Sequence, residues 1–177
     1  MRESIYLFKQ GFRPVWEDRR NICGGSWTFR VPKAAGPDVW TRIQLLAIGE
    51  KFESVLDSGR YPPPPSLATP GELPKRTKTL TKTASLGDQL CGVGLSVRFN
   101  SHNITIWHRD SAKQKSVDGI LECVLEELPA ELAPRPDSYF YKRHADHAGF
   151  NAPPELQAVL DSQRRAEEKA AREKEGQ

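Results

Sequence analysis

Hydrophobic and polar residues alternate along two stretches of this chain. Trp27, Phe29 and Val31 are interleaved with Ser26, Thr28 and Arg30, and Val93, Leu95, Val97 and Phe99 with Gly94, Ser96 and Arg98. Successive side chains of a strand point to opposite faces, so both stretches predict half-buried strands. The polar run Asn100-Ser101-His102-Asn103 predicts a turn, after which Ile104 and Ile106 alternate with Thr105 and Trp107, completing an antiparallel hairpin. Short apolar runs at Tyr6–Phe8 and Ser138–Lys142 predict one more strand near each end. Elsewhere the period changes. Val39, Trp40, Ile43, Leu46 and Ala47 recur at three and four residues, predicting a helix from about Asp38 to Phe52. Ser111 with Gln114 reads as a capping box ahead of a second stripe, Val117, Ile120, Leu121, Val124, Leu125 and Leu128. Strand, strand, helix, hairpin, helix, strand is an α+β order, an antiparallel sheet with helices on one face.

Residues 57–90 interrupt this pattern. Six of the fourteen prolines lie there, with Lys75, Arg76, Lys78 and Lys82 beside them. Proline fixes φ and donates no hydrogen bond, so the stretch is expected to be a disordered insertion within a domain spanning 1–152. Residues 153–177 read as a charged, helix-prone tail, exposed and fraying.

Composition narrows the function. Among 177 residues, 26 basic and 23 acidic side chains leave a net charge of +3, too mild for nonspecific polyphosphate binding, so any nucleic-acid contact is local. Three cysteines, an odd number without short repeated spacing, argue against a secreted disulfide framework and for a reducing, cytoplasmic setting. No apolar run approaches the roughly 18 residues of a membrane span.

Trp16 and Glu17 in a loop, Trp107 on a strand and Arg98 across the hairpin could converge on one ligand. An indole face attracts a cationic ring, and a carboxylate accepts two N–H bonds from a flat heterocycle such as guanine. An arginine fork suits a phosphate. Each also has a structural reading: Trp107 as a core residue, Arg98 as a solvated strand residue, Glu17 as a loop solvator.

The local sequence adds to this. Leu7-Phe8-Lys9-x-Gly-x-x-Pro14-x-Trp16-Glu17-Asp18, then Asn21-x-x-Gly24-Gly25-x-Trp27, closely resembles the cap-binding translation initiation factor 4E family. Trp40, Leu45-x-x-Ile48-Gly49-Glu50-x-Phe52, Cys91-Gly92, Val97-Arg98, Ile104-x-Ile106-Trp107 and His144-Ala145-Asp146 follow in order, so the resemblance covers about residues 5–56 and 90–147. It implies a curved antiparallel sheet with helices on its convex face, reading the 7-methylguanosine 5′ cap of mRNA in translation initiation or its regulation. Trp16 matches one wall of the base sandwich and Glu17 the acid pairing with the guanine N1 and N2 donors. Trp107 matches the indole near the 7-methyl group, and Arg98 a phosphate contact. Leu45 and Gly49 match the convex surface that takes a scaffold protein or repressor, although Arg42 stands where an acid is usual. No enzyme activity and no cofactor are implied.

Departures accompany the match. The partner tryptophan of the sandwich would lie upstream of Tyr6, where the chain has five residues. Asn100 and Asn103 replace two family lysines, and a third basic position falls near Phe150, so phosphate binding is expected to be weak. The alternative is a protein-interaction module with little cap affinity. A metal site built from the cysteines and His102, His108, His144 and His147 lacks any Cys-x-x-Cys pair, and only His144 and His147 are closely spaced. A Cys/His nucleophile site has no flanking signature.

Overall fold

The computed structural model of the chain describes residues 3–56 and 89–175. The insertion expected at 57–90 lies outside the described residues except for Gln89 and Leu90, which are buried. The elements are β1 (Glu3–Phe8), β2 (Gly25–Pro32), α1 (Gly36–Ile48), β3 (Leu90–Val97), β4 (Ser101–His108), α2 (Gln114–Glu127), β5 (Tyr139–Arg143) and α3 (Pro154–Glu175). Five strands form one antiparallel sheet in the order β1-β3-β4-β2-β5, so the α+β architecture is observed.

Register follows from the alternating apolar positions. Trp27 faces Ile106 and Phe29 faces Ile104 across β2 and β4, and the same isoleucines face Val93 and Leu95 of β3. A slip of one residue would turn this whole set toward water. Val39 and Ile43 of α1 and Val117, Ile120 and Val124 of α2 cover it, forming the main core. The Trp27 indole N–H donates to the Val117 carbonyl at 2.7 Å, so even the largest side chain on this face leaves no polar atom unmatched.

Several boundaries differ from the sequence expectation. The helix expected to Phe52 stops at Ile48: Glu50 adopts a left-handed conformation (φ 56°), and the following turn, Lys51–Ser54, swings Phe52 fully into the core. The hairpin turn is tighter, since the Arg98 N–H donates to the Ser101 carbonyl at 2.9 Å and His102 and Asn103 join β4. Phe99, expected to alternate inward, sits past the end of β3 and is 86% exposed. The capping box does not form, because the Ser111 hydroxyl donates to the Cys23 carbonyl at 2.9 Å and α2 starts without a side-chain cap.

The tail is a helix as expected, but its first turns are docked. Leu156 packs against Ile22 and Cys23, flanked by Phe150, Ala152 and Leu160, and the Gln163 amide donates to the Cys23 carbonyl at 3.1 Å. A third cluster, Phe12, Cys91 and Trp107 with Phe8 and Trp16, lies apart from the main core. None of the three cysteines forms a disulfide, and all three are buried.

Candidate functional site

The sheet face turned away from α1 and α2 carries Ser26 and Thr28 of β2 opposite Trp107 and Thr105 of β4, with Gly92 and Gly94 of β3 alongside. Gly92 is required there: a Cβ at this position would run into the Phe8 ring, which lies over it. That lets Phe8 meet Trp107 edge-on at 5.4 Å between centroids. His144 closes on the same indole at 4.5 Å, and the Trp107 N–H donates to the Thr105 hydroxyl at 3.2 Å. Trp107 is therefore a floor residue, only 6% exposed.

The connection between β1 and β2 carries the other aromatic residues. Asn21, fully buried, donates through its amide to the Arg13 and Val15 carbonyls at 2.6 and 2.9 Å, clamping the loop that bears Pro14, Trp16 and Glu17. Phe12 is buried beside Trp107, with Arg20 and Arg109 over its ring at 5.0 and 5.7 Å. Trp16 packs onto this cluster, so the two indoles at 16 and 107 share one aromatic assembly. Trp16 also stacks on His147, with ring centroids 4.1 Å apart and planes 10° from parallel. The Glu17 carboxylate accepts the Asn151 backbone N–H at 3.3 Å. A cavity of about 380 Å³ borders this pair through Asn151, lined also by Arg143, Asp146, Gln157 and Arg164.

Arg98 is not part of this cluster. It follows β3 at the end of the hairpin remote from Trp107, six strand residues or roughly 20 Å away, and is half-buried. Asn103 pairs with Ser96 and Arg30 on the face shared with Trp107, while Asn100 is exposed in the turn. Phe150 faces away, into the cluster under α3. On α1, Leu45 and its neighbour Ile48 are 62% and 66% exposed, and Gly49 ends the helix in the open.

The imidazoles are the residues around this site that residue spacing alone did not place. His144 is fully buried, and its Nδ1–H donates to the Asn21 carbonyl at 2.8 Å. Burial pushes its pKa down to about 4. His108, bonded to the Tyr141 hydroxyl at 2.8 Å, is pushed down to about 3 by burial and by the nearby His144. Burial, with Lys142 adding to it, also lowers His147. All three rings are neutral at pH 7. The His144-x-x-His147 spacing pointed only to a metal, yet among the described residues no group of three His, Cys, Asp or Glu side chains could hold one. Both rings instead lie against indoles.

The model of the family described as eukaryotic initiation factor 4E matches residues 1–158. The chain belongs to that family. A rice relative, eukaryotic translation initiation factor NCBP, is 27% identical over 143 residues, 80% of this chain and 47% of the rice protein. The Caenorhabditis elegans factor 4E-4 is 27% identical over 81% of this chain and 51% of its own length. The chain thus spans about half the length of the curated relatives it matches. The initiation factor 4E fold is shared with two solved nematode proteins. Caenorhabditis elegans eIF4E-3, in complex with the 4E-binding protein Mextli and a cap analogue, superposes with a TM-score of 0.57 at 22% identity, over 81% of this chain and 63% of that one. Ascaris suum eIF4E-3 with an m2,2,7G cap gives 0.55 at 24% identity, over 84% and 66%.

Proposed function

We propose that this chain binds the 7-methylguanosine 5′ cap of mRNA and takes part in translation initiation or its regulation. The observation that carries the reading is the adjacency of the Trp16 indole and the Glu17 carboxylate, joined to Trp107 through one aromatic cluster, in a member of the initiation factor 4E family. N7-methylation leaves guanine cationic, so stacking on Trp16 and pairing with Glu17 both favour it over the unmethylated base. Arg98, at the far end of the hairpin, is the residue assigned to the phosphates. Binding involves no covalent step. The exposed Leu45 and Gly49 on α1 offer the surface for a scaffold protein or repressor.

One observation favours a second reading, an interaction module with little cap affinity: Trp107 is nearly closed to solvent while α1 keeps Leu45 and Ile48 exposed. Titrating tryptophan fluorescence with 7-methyl-GTP and with GTP separates the two. Saturable quenching at lower concentration of the methylated nucleotide supports cap binding; equal quenching, or none, leaves the interaction module. Within the first reading, Glu17→Ala weakens 7-methyl-GTP binding, whereas Arg98→Ala lowers affinity for both nucleotides and preserves their ratio. Loss of that ratio in Arg98→Ala would overturn the assigned roles.

A further inference from the structure

The proposed base-reading pair is already engaged, and by one segment of the chain. His147 lays a flat nitrogen heterocycle parallel to the Trp16 indole at 4.1 Å, and four residues on, Asn151 points its backbone N–H at the Glu17 carboxylate. A ring on the indole and an N–H on the acid are the two contacts that a guanine base would make there. At 4.1 Å the rings touch, whereas a sandwiched base needs two stacking separations, roughly 7 Å. Nothing planar enters between them unless His147 moves.

Several features make this contact exchangeable. The His147 Nε2 is shut off from solvent with no hydrogen-bond partner among the described residues, so the stack is held against an unmet polar demand that water would satisfy once the ring swung out. The segment is tethered on both sides of that ring. Upstream, His144 donates through its backbone N–H to the Gly24 carbonyl and through its ring to the Asn21 carbonyl. Downstream, Phe150 is sunk beside Ile22 and Leu156. Between them Gly149 takes φ +96° with open space around it, a backbone state that few other residues would adopt. The tethers hold the position of the strap while the ring within it can turn aside.

We propose that residues 147–151 are an internal stand-in for the base, occupying the indole of Trp16 and the carboxylate of Glu17 until a methylated guanine displaces them. This rests on the cap-binding reading of the same residues. It adds a built-in competitor that lowers affinity in the resting state without contacting the phosphates, and it makes His147 a determinant of how tightly the ligand is held.

The test is 7-methyl-GTP titration of the full chain against two variants. His147→Ala removes the competing ring and is expected to tighten binding by roughly two- to tenfold, the range of one aromatic contact. His147→Phe keeps a ring, has no nitrogen left unmatched, and is expected to weaken it. Should wild type discriminate 7-methyl-GTP from GTP while His147→Ala binds no tighter and His147→Phe no weaker, the stand-in is overturned and the cap reading survives. Absence of 7-methyl-GTP binding by wild type and both variants overturns the cap reading and the stand-in together.

Discussion

The two faces of the sheet differ in what surrounds their unmatched buried polar atoms. Under α1 and α2 the core is aliphatic and aromatic, its buried indole, Trp27, donates to a helix carbonyl, and the unmatched Nδ1 of His102 sits at its rim against Gly36 of α1. On the other face, at the end closed by the β1–β2 connection, two imidazoles lie against two indoles, and both His144 and His147 keep a buried Nε2 without a partner among the described residues. Packing density alone would not select such residues. A single unmatched atom at the rim of a core is ordinary, whereas two unmatched rings beside two indoles keep polar capacity in reserve for an exchange of partners.

Truncation of the two faces should show the contrast most strongly. Trp27→Ala removes the indole at the centre of the main core and is expected to cost about 3–5 kcal/mol in denaturant unfolding. A cost below 1 kcal/mol would mean that the helix-covered face is not the stabilising one.

Acidification tests the buried imidazoles. His108 and His144 have folded pKa values of about 3 and about 4, below the ordinary value near 6.5, so between these limits the unfolded chain binds more protons than the folded one. Stability is therefore fully present above pH 6.5 and declines as the pH falls. From pH 7 to 5 the two rings together remove roughly 3–4 kcal/mol. Urea midpoints identical at the two pH values would contradict neutral burial of both rings.

Trp16→Ala is expected to cost about 1–2 kcal/mol, less than Trp27→Ala, since Trp16 is half-buried, packed at the edge of its cluster and stacked on His147. Under the proposed function the same change lowers 7-methyl-GTP affinity by roughly five- to more than a hundredfold, the range of one lost stacking partner. A stability loss as large as that of Trp27→Ala would place Trp16 among the structural residues. The smallest effect is expected on the helix side, where Glu50 holds a left-handed conformation after α1. Glu50→Gly should stabilise the fold by about 0.5–1 kcal/mol, because glycine adopts this conformation without strain. Thermal unfolding at constant pH reads this out, and a lowered midpoint would overturn the strain at this position.

How much of this was legible in the sequence follows from the range of the interactions. Alternation at Trp27, Phe29 and Val31 and at Val93 and Leu95 specified two central strands, because a sheet buried on one face imposes its period on the residues themselves. Helix ends were less legible: Glu50 looks like an ordinary helix former, and only the burial of Phe52 explains why the chain reverses there. Ser111 has the spacing of a cap, yet its hydroxyl serves the Cys23 carbonyl, 88 positions away in sequence. The docking of α3 was hidden for a similar reason, since Leu156 and Leu160 make a short apolar stripe whose receptor, Ile22 and Cys23, belongs to a distant loop. At the candidate site, Trp16 and Glu17 could be picked out by residue type and resemblance. The pairing of His147 with Trp16 could not, because 131 positions separate them and nothing in either neighbourhood announces a stack.

The three buried thiols have a use of their own. Cys123 belongs to the main core, Cys91 to the aromatic cluster and Cys23 to the seat of α3, and each is buried. Alkylation by iodoacetamide requires exposure, so each thiol reports the opening of its own compartment. Time-resolved mass spectrometry of the labelled chain would read three local opening rates from one unmodified sample, without inserting a probe anywhere.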